Sequence, residues 1–149
     1  MENQTPLRRA LYLDDIRTPS VALPNAHPWD VVRNYTEFCE YITKHGVPDV
    51  ISFDHDLAEE HMNDYYSQML EQGYQMPNYE NYKENTGLEC ARFLIRYAEQ
   101  NNQEIKTCVV HSHNPVGAKN IMDEINGFKK HMGWPADCYQ HRFPFHVTK

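Results

Sequence analysis

Three short apolar runs in this chain each end abruptly in residues that can do chemistry. Residues 10–13 run into Asp14 and Asp15, and 50–53 run into Asp54, His55 and Asp56. Residues 107–110 run into His111, Ser112, His113 and Asn114. Runs of this kind read as buried strands, and in open parallel sheets ligands sit beyond the carboxyl ends of the strands. The three clusters are therefore expected to meet in one pocket. Several carboxylates close together repel one another unless protons or a cation intervene, and a hard divalent ion, Mg²⁺ or Mn²⁺, suits such oxygen donors. The candidate ligands are Asp14, Asp15 and Asp54, with Asp56 either completing the shell or orienting His55. Any one acidic pair alone also fits a turn that caps the following loop. Two pairs at strand ends favour the metal.

The remaining polar residues suit a phosphate. His111 is a candidate general acid or base, because imidazole titrates near neutrality. Ser112, Asn114 and the free N–H groups of a helix opening at Pro115 form an anion cradle, helped by the helix dipole. Arg17 can reach back to give a forked contact to phosphate oxygens, or can form a salt bridge. His55 and the Thr86 hydroxyl are further candidate substrate contacts, although Thr86 and Gly87 also read as a simple helix start with a flexible hinge. Lys119 reads as solvated. The His-Asp dipeptide at 55–56 ends a strand rather than lying in a helix, and the His-x-Thr at 146–148 has no second copy, so two phosphoesterase look-alikes are set aside. His111 and His113 lack a third nitrogen or sulfur ligand that would signal zinc.

Positioning these groups requires an alternation of strands and helices. After the first run, 31–33 reads as a short second strand, and Thr36 as the cap of a helix carrying Phe38, Tyr41 and Ile42 before Gly46 stops it. A helix from Thr86 to about Gln100 puts Leu88, Ala91, Leu94, Ile95 and Ala98 on one face. Asn114 as N-cap with Pro115 at the first helical position opens another, through about His131. A last short strand is expected near 139–143. The pattern predicts an α/β domain with a mainly parallel central sheet. Residues 57–85 hold five tyrosines and six acids against one lysine and read as an insertion after the third strand, a lid or packed loop. Its tyrosines could pack into the core or stack on a base.

Composition narrows the function. The chain has 149 residues, 40% of them hydrophobic, which suits a single domain over 1–149. A formal charge of −7 disfavours a grip on a long nucleic-acid duplex and leaves a small nucleotide or an RNA end as partner. No apolar run of about 18 residues marks a membrane span, and no signal segment is evident, so a cytoplasmic location is expected. The four cysteines are scattered and read as reduced, mostly buried thiols. Oligomeric state stays open.

The acids Asp14, Asp15 and Asp54 with the Ser112 hydroxyl resemble the phosphorylation site of response-regulator receiver domains. More closely, LYLDDIRTP, ISFDHDL, the TG before a helix and VVHSHNPVGAKNI resemble the cyclic-phosphate-processing receiver-like family. That resemblance covers 10–17, 50–57 and 86–121. It implies a receiver-like three-layer sandwich and a metal-dependent pocket acting on cyclic phosphates such as those at RNA ends. The chain departs from ordinary receivers in lacking an evident helix between its first two strands and a lysine at a recognisable fifth strand end. Three readings follow. The first is a metal-dependent phosphoesterase for the cyclic phosphate of an RNA end or small nucleotide, including a nucleotide messenger, with Asp54, His111 and Arg17 as catalytic residues. The others are a non-catalytic nucleotide sensor or sponge, and a receiver module phosphorylated on Asp54.

Overall fold

A computed structural model describes residues 7–19, 23, 25–57, 86–112, 114–140 and 146–147. The elements run β1 (Ala10–Leu13), β2 (Thr18–Pro19), β3 (Asp30–Val32), α1 (Tyr35–His45), β4 (Val50–Phe53), α2 (Gly87–Asn101), β5 (Thr107–Val110), α3 (Pro115–Met132), β6 (Tyr139–Gln140) and β7 (His146–Val147). Five strands form one sheet in the order β3-β1-β4-β5-β6, and every pair in it is parallel. Numbered by sequence within that sheet, the order is 2-1-3-4-5. In open parallel sheets with this strand order the ligand crevice opens where the order reverses, next to β1. β2 and β7 make a separate antiparallel pair.

Alternation along the strands divides the sheet into two faces. Leu11, Leu13, Ile51, Phe53, Cys108 and Val110 lie in one core cluster with Phe38 and Ile42 of α1, Leu94 and Ala98 of α2, and Ile121 and Ile125 of α3. The three helices thus share a single apolar layer with that face. The residues between them, Tyr12, Ser52 and Val109, are buried on the opposite face, where the Trp29 indole meets the Tyr12 ring edge-on at 5.5 Å. Among the described residues no helix joins β1 to β3, in agreement with the sequence.

Local chemistry sets the boundaries. The cap of α1 is Asn34, whose side chain accepts from the Glu37 N–H, rather than Thr36, which falls inside the helix. Asparagine two residues earlier satisfies the same orphan donors equally well. Asn114 caps α3 as expected, accepting from the Gly117 N–H, with Pro115 following. The expected final strand is present at Tyr139–Gln140, and the rest of 139–143 lies outside the described residues, as does the tyrosine-rich segment beyond the buried Leu57. Three of the four cysteines are buried, and Cys39 is half-buried.

Gly87 begins α2 against the end of β4, and its N–H donates to the His55 carbonyl at 2.8 Å. A Cβ on Gly87 would overlap the Asp54 carbonyl oxygen. Glycine is required by this close approach, a role distinct from the hinge read from sequence. Gly87→Ala is expected to lower unfolding free energy by about 1–3 kcal/mol or more, measured by urea denaturation, because backbone cannot yield as a side chain does. An unchanged midpoint would contradict this packing.

Candidate functional site

Register brings the site together. Leu13 pairs with Phe53, and Phe53 with Val110, so β1, β4 and β5 end at one level. The next residues are Asp14, Asp54 and His111. Backbone bonds extend the ladder one step into them, from the Asp54 N–H to the Leu13 carbonyl at 3.0 Å and from the His111 N–H to the Phe53 carbonyl at 2.9 Å. All three side chains are buried, and one donor atom from each lies within 4.8 Å of the others.

Among the described residues, Asp14 accepts four hydrogen bonds. Its Oδ1 takes the backbone N–H groups of Ile16 at 2.9 Å and Arg17 at 2.7 Å. Its Oδ2 takes Arg17 Nε at 2.9 Å and pairs with His111 Nε2 at 3.0 Å. Burial opposes charge on Asp14, but His111, the two N–H groups and the Arg17 charge outweigh it and hold the carboxyl well below the usual carboxylate range. Burial followed by the Asp14 charge pushes the Asp54 carboxyl up, against the pull of His111, Arg17 and the His55 N–H. Two like unit charges at 4 Å repel by roughly 4 kcal/mol at an effective dielectric of about 20. That is comparable with much of a domain's net stability, so a counter-charge is needed. The Arg17 guanidinium supplies one, with its Nη2 3.5 Å from Asp54 Oδ2.

His111 has partners on both ring nitrogens. An anionic carboxylate can only accept, so Nε2 carries the proton toward Asp14, while Nδ1 meets Ser52 Oγ at 2.7 Å. The ring stacks on Tyr12 at 4.3 Å with 5° between planes, and its side chain is 0% exposed. His55 is different. Its side chain is 16% exposed, Nδ1 pairs with Asp56 Oδ1 at 2.8 Å, and its ring lies where a side chain on Gly117 would be. Asp56, 45% exposed, also accepts from Asn114 Nδ2 at 3.3 Å. Of the two roles expected for Asp56, its contacts match the orientation of His55.

The other candidates fall around this centre. Ser112 is buried, and its Oγ accepts from the Asn114 N–H at 3.0 Å. Thr86 precedes α2 without a side-chain capping bond. Asp15 is half-buried and stands outside the group formed by Asp14, Asp54 and His111. Lys119 is exposed and pairs with Asp123. His113 lies outside the described residues.

Three contributors were not read from sequence. Ser52 fixes His111, and the signal was a lone hydroxyl on a buried strand, which must find a partner. Tyr12 stacks on the imidazole from β1. Arg33 donates to the carbonyls of Asp14 at 3.1 Å and Arg17 at 2.7 Å and to Thr18 Oγ1 at 2.9 Å, locking the turn that carries both site residues. An arginine after a strand gives no such signal in sequence.

The pKa directions give a test. For Asp54, raised in the folded protein, the ionised form costs stability at neutral pH, and the cost fades as pH falls through the raised pKa. Asp14 has the opposite sign, contributing stability that is lost only in strong acid. Asp54→Asn is therefore expected to raise the Tm by a few degrees at neutral pH in EDTA, with the gain shrinking in mild acid. A lower Tm for the variant at neutral pH would contradict the charge assignment.

No curated protein and no solved structure matches the chain. The family model described as the cyclic-phosphate processing receiver domain matches residues 9–127, a span holding β1 through most of α3 and every residue of the site described above. With the parallel receiver-like sheet and the row of Asp14, Asp54 and His111 at its carboxyl edge, this match means that the chain belongs to the cyclic-phosphate processing receiver domain family.

Proposed function

We propose that the protein is a divalent-metal-dependent phosphoesterase that opens or removes the cyclic phosphate of an RNA end or a small nucleotide. The observation that carries this reading is the convergence of Asp14, Asp54 and His111 within 4.8 Å beside the Arg17 guanidinium. Two buried carboxylates are a donor set that a divalent ion accepts, and the charge of Asp54 is the kind such an ion relieves. Asp14 and Asp54 would hold Mg²⁺ or Mn²⁺. When bound, the ion would polarise the phosphoryl group and lower the pKa of a coordinated water.

The chain's own groups do the rest. His111, buried and held by Ser52, keeps Asp14 oriented and ionised; its lack of exposed surface argues for this work over direct protonation of a leaving oxygen. Arg17 neutralises phosphate oxygens through its planar fork. Ser112 and Asn114 stand where β5 meets α3, so the helix dipole adds to their pull on an anion. His55, fixed by Asp56, and Thr86 are further candidate substrate contacts. The acidic net charge favours a nucleotide or a short RNA end over a duplex. Among the described residues no helix is long and apolar enough to cross a membrane.

The test is incubation of the purified protein, with MgCl₂ or with EDTA, against cyclic-phosphate RNA ends and small cyclic nucleotides, with products followed by mass spectrometry. Turnover is expected only with metal, and Asp54→Ala and His111→Ala are each expected to reduce it by about a hundredfold or more. Ligands bound tightly yet recovered intact would leave a sensor or sponge. An added phosphoryl group on Asp54 from a small phosphodonor, with no turnover, would point to a receiver module.

A further inference from the structure

Asp14 Oδ2 is the atom on which this inference turns. It is shared by Arg17 Nε at 2.9 Å and His111 Nε2 at 3.0 Å, while Oδ1 is taken by two backbone N–H groups. A carboxylate has about four lone-pair positions, so these four donors use them all. An ion held by Asp14 and Asp54 would take the place of one of these donors. The Ile16 and Arg17 N–H groups belong to the turn clamped by Arg33. His111 is wedged between Ser52 and Tyr12 with no exposed side-chain surface. Of the four donors, Arg17 Nε alone is carried on a long, unbranched and partly exposed side chain, and that side chain already spans to Asp54 at 3.5 Å.

We propose that Arg17 and a divalent cation are alternative counter-charges for the Asp14–Asp54 pair. With the ion bound, the Arg17 guanidinium would be displaced from the acids and would serve the substrate phosphate. The inference rests on the phosphoesterase reading above and gives it a built-in order: metal first, then an arginine freed for the anion. The Arg17 backbone N–H and carbonyl are fixed by Asp14 Oδ1 and Arg33, so the exchange is a movement of the side chain and leaves the turn in place. A guanidinium is always charged, and it cannot remain against both carboxylates beside a divalent ion without strong repulsion.

The exchange predicts effects of opposite sign from one substitution. In Arg17→Gln, Mn²⁺ or Mg²⁺ measured by calorimetry is expected to bind about tenfold more tightly than to the wild-type chain, since no resident cation opposes it. Inorganic phosphate, titrated at saturating Mg²⁺, is expected to bind about tenfold more weakly. A residue with a merely structural role would weaken both. On the wild-type chain, the Arg17 Nε–H resonance is expected to shift when MgCl₂ is added, a readout that does not depend on the variant folding. Metal binding that is unchanged or weaker in Arg17→Gln, or an Nε–H signal unmoved at saturating Mg²⁺, would overturn the exchange and leave the metal site standing. No metal binding to either protein would overturn both.

Discussion

The site depends on how the charges of Asp14 and Asp54 are neutralised. Both carboxylates are buried at adjacent strand ends, where the repulsion between them is too large for a marginally stable fold to carry unaided. The chain answers asymmetrically. Asp14 receives the imidazole, two N–H groups and the guanidinium and is held ionised, whereas Asp54 receives less and is pushed toward protonation. A stable anion beside a reluctant one leaves the pair with affinity for further positive charge.

Holding that arrangement recruits residues well outside the pocket. Ser52, in the middle of β4, orients His111, and Tyr12 of β1 stacks on its ring. Arg33, just beyond β3, ties down the turn after β1. Gly87 and Gly117 let α2 and α3 begin against the Asp54 carbonyl and the His55 ring, which no larger residue would allow. The sheet, the first turns of two helices and the half-buried Arg33 thus converge on two carboxyl groups.

Much of this was legible in the sequence because buried parallel strands announce themselves as apolar runs, and polar residues at their ends then have one place to go. The strands at 10–13, 50–53 and 107–110, the caps at Asn114 and Gly46, and the gathering of Asp14, Asp54 and His111 all followed from that. Which acids would converge was harder. Continuing the two-residue alternation one step past Leu13, Phe53 and Val110 puts Asp14, Asp54 and His111 on the Tyr12 and Ser52 face, while Asp15 falls on the other parity. Register was the missing quantity, since parity helps only once the three strands are known to end together. The roles of Arg33 and of Asn34 as cap were hidden for another reason. Each depends on where a turn or a side chain arrives in space, and neither residue type is unusual at its position. The segment 58–85 has no periodicity strong enough to fix its packing from sequence.

The proposed exchange of Arg17 for a divalent cation at Asp14 and Asp54 is open to direct observation by anomalous diffraction from crystals soaked in MnCl₂. A manganese peak is expected between the two carboxylates, with His111 still stacked on Tyr12 and the Arg17 side chain turned away. A pocket with no such peak, and with Arg17 still lying across both acids at saturating manganese, would contradict it.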